Sequence, residues 1–227
     1  MPGIVSSAVS VLKWPAGITV ALLTPAAARG CWNLLGEAWR ADLWWSPFGL
    51  GFAGTAVCWV ALHRLRFVRF WSTMEHELTH ALFAWLTFVP VLELRSTDGS
   101  PESRTDDSLG HVRLGGSNWL ILTSPYFFPT AAVALLAAVA LLAAQPTVLA
   151  RVLLGAATAY SLCSTWQETH PGQSDFRHAG RLFCVLLLPG ANLLCYGALL
   201  ANELGGPRHA LAHFTGTVVA TIRWATG

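Results

Sequence analysis

Five consecutive residues, His76-Glu77-Leu78-Thr79-His80, carry the densest chemistry in this chain. Residues four apart lie on one face of a helix, about one turn from each other. Two imidazoles so placed can share one metal ion, and Zn²⁺ takes imidazole nitrogen at about 2.0–2.1 Å. Glu77 is one step round from His76, close enough to hydrogen-bond a water on such a metal but not spaced to ligate it. That places Glu77 as the general base of a hydrolytic site. A shuffled chain of this composition would contain the pattern about once in a hundred tries. Glu75 fits a lesser role, as a solvated or outer-sphere carboxylate.

A catalytic zinc takes three protein ligands and keeps one position open. The extended layout HExxHxxGxxH would put glycine at 83 and histidine at 86. The chain has Phe83 and Leu86 there, so the ligand comes from elsewhere. The segment from Glu168 to Phe176 joins two apolar stretches and offers Glu168, His170 and Asp175. His111, at the base of a polar loop, is a further candidate. A carboxylate would offset the charge of a dication and leave less net charge to bury.

The elements around these residues belong to a membrane protein. The chain is 54% hydrophobic and only 11% charged, with a mean hydropathy of +0.50. Soluble domains are about one quarter charged, so this chain cannot cover a water-facing surface of ordinary size. Disordered chains are polar and charge-rich, which excludes that class too. A net charge of +2 with no dense basic patch gives no nucleic-acid footprint. The composition fits one membrane domain, residues 1–227, with its core at about 43–203.

A span needs about 20 apolar helical residues. Uncharged runs fall at Leu43 to Leu62 and Leu182 to Asn202. The long run Leu114 to Ala150 is divided by Pro125 and Pro129 into an entry segment around Trp119 and a helix from about Thr130 to Ala144. Pro146 then starts a helix to about Trp166. The motif itself lies in Phe70 to Leu92, apolar except for Glu75, His76, Glu77 and His80. An ionised acid at a membrane helix centre costs on the order of 3 kcal/mol, which a bound dication would offset. Ile18 to Ala28 is a weaker half-span bracketed by Pro15 and Pro25, with a cleaved signal ending at Ala28 as the less favoured reading. The tail after Gly205 is mildly apolar and fits the membrane surface.

The expected fold is therefore all-α and polytopic, with five to six transmembrane helices. Between two of them, Val91 to Arg95 and His111 to Leu114 alternate apolar and polar with period 2. These flanks form a β-hairpin, about 91–114, whose long tip carries Asp98, Glu102, Asp106 and Asp107. Two crossings separate this hairpin from the 168–176 segment, which puts both on one side of the membrane. Lys and Arg divide evenly between the two sides, so the positive-inside bias leaves the orientation open. The five cysteines form no CxxC pair and fit small buried hydrophobes better than a disulfide or metal framework.

An HExxH helix in an apolar setting, a hairpin, further helices and a late Asp beside a helix: this order resembles the site-2 protease family of intramembrane zinc metallopeptidases, in particular its short bacterial members. His76-Glu77-Leu78-Thr79-His80-Ala81 resembles the family's HExxHA signature. Gly115 to Leu120, running on to Pro125-Tyr126-Phe127-Phe128-Pro129, resembles the segment that enters the following helix. The resemblance covers roughly residues 45–202. It implies a multi-pass protein of the bacterial inner membrane that uses Zn²⁺ to cut a membrane-protein substrate in or near its transmembrane helix. It also implies an Asp as third ligand, normally in an Asp-Gly motif. The chain departs there, because its Asp-Gly pair, Asp98-Gly99, precedes the later helices. Asp175 matches by position and takes the ligand role, with His170 next. Asn118 is placed to bind the substrate strand or polarise its carbonyl, or else to cap the helix it opens. Two other readings remain. One is a membrane metalloprotease of the CAAX-processing type with Glu168 as ligand, and the other is a non-catalytic scaffold that keeps a metal-binding helix.

Overall fold

The computed structural model describes residues 3–96, 110–142 and 147–227, so the acidic hairpin tip lies outside the described residues. Among the described residues the regular structure is helical except for one two-stranded antiparallel sheet. In chain order they form α1 (Ile4–Val11), α2 (Lys13–Arg40), α3 (Pro47–Leu62), α4 (Arg66–Leu86), β1 (Val91–Ser96), β2 (Gly110–Leu114), α5 (Trp119–Thr123), α6 (Thr130–Leu142), α7 (Val148–Glu168), α8 (Ser174–Ala179) and α9 (Arg181–Thr226).

Local signals fix most boundaries. Ser46 caps α3 by accepting from the Gly49 amide at 3.3 Å, and Pro47 opens the helix where its missing N–H costs nothing. Thr147 caps α7 in the same way through the Ala150 amide. Helix α4 ends where Phe88 turns left-handed, at φ 56°. The Val89 amide then reaches back to the Ala84 carbonyl at 2.8 Å, and Val89 buries itself against Phe83 and Ala84. Pro90 follows, and β1 begins.

The two strands pair from Val91 with Leu114 to Ser96 with Gly110, with an irregularity between Val91 and Glu93. The hairpin lies against α4. It is the hairpin expected from period-2 alternation, at the expected residues.

Two helix pairs form the frame. Helix α3 packs along α7, and α2 packs along α9. The first pair is close because it is built on glycine. A Cβ on Gly51 would strike the Val152 carbonyl, and one on Gly155 would strike the Phe48 carbonyl. Small residues at crossings let helix backbones meet in this way. The second pair corrects the sequence reading of the N-terminus. Residues 18–28 are not a weak stretch between prolines but part of a 28-residue helix that includes Pro25. Pro15 sits in the first turn, where its lost N–H is unpaired anyway. Burial of Ala27, Leu34 and Ala38 offsets the bond that Pro25 removes.

The tail differs as well. Helix α9 breaks at Gly205 and Gly206, with Gly206 at φ 76°. The arm 207–226 folds back, so that His213 meets both Gly30 of α2 and Gly197 of the first arm. A glycine pair lets the chain reverse there.

Two helices, α7 and α9, are long and apolar enough to cross a membrane. Three bent pairs pass only together: α1 with α2, α3 with α4 (bent by 117°), and the segment Trp119–Tyr126 with α6. That gives two to five candidate spans among the described residues, the upper count meeting the lower end of the expected five to six. The expected spans at 43–62 and 70–92 are a 16-residue helix and a helix too polar to pass alone.

Candidate metal centre

The motif lies in the second half of α4, whose apolar face is buried through Thr79, His80, Ala81, Phe83 and Ala84. His80 is 6% exposed. Its Nδ1 donates to the Ile121 carbonyl at 2.8 Å, which fixes the ring and leaves Nε2 to face the cavity. The His80 and His76 Nε2 atoms are 3.1 Å apart. His76 Nδ1 is buried and has no hydrogen-bond partner among the described residues.

Asp175 completes the group. It stands in the first turn of α8, between the ends of α7 and α9. Its Oδ2 is 3.6 Å from His76 Nε2 and 3.4 Å from His80 Nε2. The Tyr126 hydroxyl donates to the same oxygen at 2.8 Å. Burial by itself would raise the Asp175 carboxyl. Hydrogen bonds from His76 and His80, the charge of His80 and the Tyr126 hydroxyl outweigh it and hold the carboxyl well below the ordinary carboxylate range. Among the described residues, His76, His80 and Asp175 form the one set of His, Cys, Asp or Glu side chains able to hold a metal together.

Glu77 lines the same cavity of about 650 Å³ as these three side chains. Val112 and Leu114 of β2 form one wall, and Gln173 and Ser174 another. Hairpin and late loop therefore line one cavity.

The other candidates have different surroundings. Glu168 accepts from Ser72 at 3.3 Å and from the Gln173 amide at 3.3 Å, and it stands outside the metal-capable group. His170 is exposed and lines a separate apolar groove with Phe176 and Cys184. The side chain of His111 is outside what the structure describes. Asn118 is buried and caps α5 by accepting from the Ile121 amide at 3.1 Å. Its Nδ2 donates to Ser6 and Thr87. It does not line the cavity, and a cap with all its bonds to protein is the role its geometry gives. The cap also positions the carbonyl of Ile121 that holds His80.

Glu75 is not the freely solvated carboxylate that one sequence reading allowed: it is half-buried, does not line the large cavity and shares a small crevice with His76. Its Oε1 accepts from the Ala131 amide at 3.0 Å and from Ser161 at 2.6 Å, tying α4 to the start of α6 and to α7. Thr79 adds a 2.5 Å hydroxyl contact to Thr130. Buried polar groups must be paired, and these pairs lock the motif helix against its neighbours. All five cysteines are free, and Cys58 is exposed rather than buried.

Sequence spacing did not point to Tyr126. It lies between two prolines on a tight turn, and its ring is fully buried. The available signal was general: a buried tyrosine hydroxyl needs a partner.

Comparison with protein-family models, with curated proteins and with solved structures gives no match.

Proposed function

We propose that this chain is a membrane-embedded zinc metalloprotease that hydrolyses a peptide bond in or near a substrate's transmembrane helix, as in the site-2 protease family it resembles. The observation that carries this is the triangle of His76 Nε2, His80 Nε2 and Asp175 Oδ2, with edges of 3.1, 3.6 and 3.4 Å. Ligands about 2.0–2.1 Å from a tetrahedral zinc lie about 3.3–3.4 Å from each other. The donor set, two imidazoles and one carboxylate, is one that hydrolytic zinc sites use.

Zinc held there would supply a Lewis acid for the scissile carbonyl and lower the pKa of a water to about 7. Glu77, in the same cavity, takes a proton from the attacking water and returns it to the leaving nitrogen. Asp175 offsets charge that would otherwise be buried. The free edge of the hairpin beside the cavity accepts an extended segment of an unwound substrate helix by strand addition. Many large apolar side chains stand exposed on the helices, including Val57, Val60, Leu141, Leu142 and Val185. A bilayer is the solvent that suits them, in a multi-pass cell-membrane protein.

Glu77→Gln tests the reading. The substitution keeps shape and removes the base. The variant should retain zinc and fold while cleavage of a co-expressed membrane substrate drops about a hundredfold or more. Unchanged cleavage would rule out this mechanism, and zinc-loaded wild-type protein that cleaves no membrane substrate would favour the scaffold.

A further inference from the structure

We propose that Tyr126 is a positioning residue of the metal centre, its hydroxyl holding Asp175 in a one-oxygen binding geometry that leaves a fourth coordination position open. The inference rests on the metalloprotease reading above.

Asp175 is the least supported of the three ligands by its own element. The two histidines project from a 21-residue helix, whereas Asp175 stands on a six-residue helix in a connection. Something outside α8 has to set its rotamer. Tyr126 is suited to this because it is buried and tied to its neighbours. It is 0% exposed, and its carbonyl accepts from Asn192 of α9 at 2.8 Å. Its ring packs 4.4 Å from that of Phe176, the neighbour of Asp175, and edge-on at 5.1 Å to His76. One side chain thus touches two of the three ligands, His76 and Asp175, and the residue that follows Asp175 in the chain.

The hydroxyl selects a particular oxygen. It donates to Oδ2, the atom that also faces both Nε2 atoms. A carboxylate oxygen has two lone-pair sites. With the phenol on one, the other points to the metal. Rotating the carboxylate to chelate through both oxygens would break the tyrosine bond, so the bond favours single-oxygen ligation. Outer partners of this kind typically change metal affinity by about 10–100-fold.

The test uses full-length protein in detergent. Zinc affinity is measured by competition with a chromogenic chelator, and coordination by the visible spectrum of the cobalt-substituted form. Tyr126→Phe keeps the ring and should bind zinc about 10–100-fold more weakly, with a cobalt spectrum moved away from the wild-type four-coordinate form. Wild-type affinity and an unchanged spectrum would overturn the proposal. Phe176→Leu disturbs the same packing and leaves the hydroxyl in place, so it should bind more tightly than Tyr126→Phe. Equal weakening in both variants would mean packing alone and overturn it as well. Should Tyr126→Phe fail to fold, 3-fluorotyrosine at position 126 keeps the shape and strengthens the donor. Its zinc affinity must then shift, and an unchanged value counts against the proposal. A wild-type protein that binds no metal overturns this inference together with the reading it rests on, whereas metal binding indifferent to Tyr126 overturns this inference alone.

Discussion

Gly155→Ala should loosen the frame that backs the candidate metal centre. A methyl group built on Gly155 falls 2.8 Å from the Phe48 carbonyl carbon and 3.0 Å from the Phe52 amide nitrogen, and closer still to the Phe48 oxygen. Ordinary contact needs about 3.5 Å, so α3 and α7 must part by roughly 1.5 Å at this crossing to clear the oxygen. The obstacle is backbone, which cannot rotate away as a side chain would. Overpacking costs about 1–3 kcal/mol, and a backbone clash belongs near about 3. For a chain of this size that lowers the melting temperature by roughly 6–12 °C. The comparison is Gly54→Ala on the same α3, where a Cβ meets nothing within 4 Å. There alanine should be neutral or should stabilise by up to about 1 kcal/mol through helix propensity. Thermal unfolding of both variants in one detergent, followed by circular dichroism, reads the difference. Equal melting temperatures would refute the close glycine crossing.

Other consequences can be checked on the same preparations. Asp175→Ala should lose bound zinc, while Glu168→Ala and His170→Ala should keep close to one equivalent by metal analysis; the reverse order would return the ligand role to the 168–170 segment. Imidazole binds metal only when neutral, so zinc should be released on acidification as protons compete for the two rings. Because the Asp175 carboxyl is depressed, its contribution is present above the ordinary carboxylate pKa and lost only as pH falls through its lower folded value, so it stays ionised while the rings take up protons. Loss of zinc on the alkaline side instead would contradict this ligand set. Phe88→Gly should raise stability by up to about 1 kcal/mol, since Phe88 is 74% exposed and sits at φ 56°, a conformation that costs an L-residue about 1–2 kcal/mol. A lower melting temperature would show that the exposed ring contributes more than the strain removes.

The one-dimensional pattern was enough for whatever depends on near neighbours. Histidines four apart had to share a helix face, and a run poor in charge had to be buried or meet lipid. Period-2 alternation on either side of an acidic loop had to pair as a hairpin, and the strands lie where it placed them. Ser46 with Pro47 and Thr147 carried their caps in local chemistry. Choosing Asp175 over His170 and Glu168 needed position as well as residue type, since all three are competent zinc ligands within eight residues of chain. Only the fold brings α8 against α4 and turns His170 outward.

The tertiary structure decided what depends on distant partners. Glu75 and Glu77 are two residues apart on an α-helix, so they point in different directions; what each faces is set by α6 and α7 on one side and by β2 and α8 on the other. Asn118 could equally contact a ligand or cap a helix, and the amide of Ile121 takes its oxygen. Pro25 does not interrupt α2 because burial along α9, more than 150 residues away in sequence, compensates for the lost bond. Tyr126 gains its meaning only through Asp175, 49 residues on, across a buried contact that no local periodicity encodes.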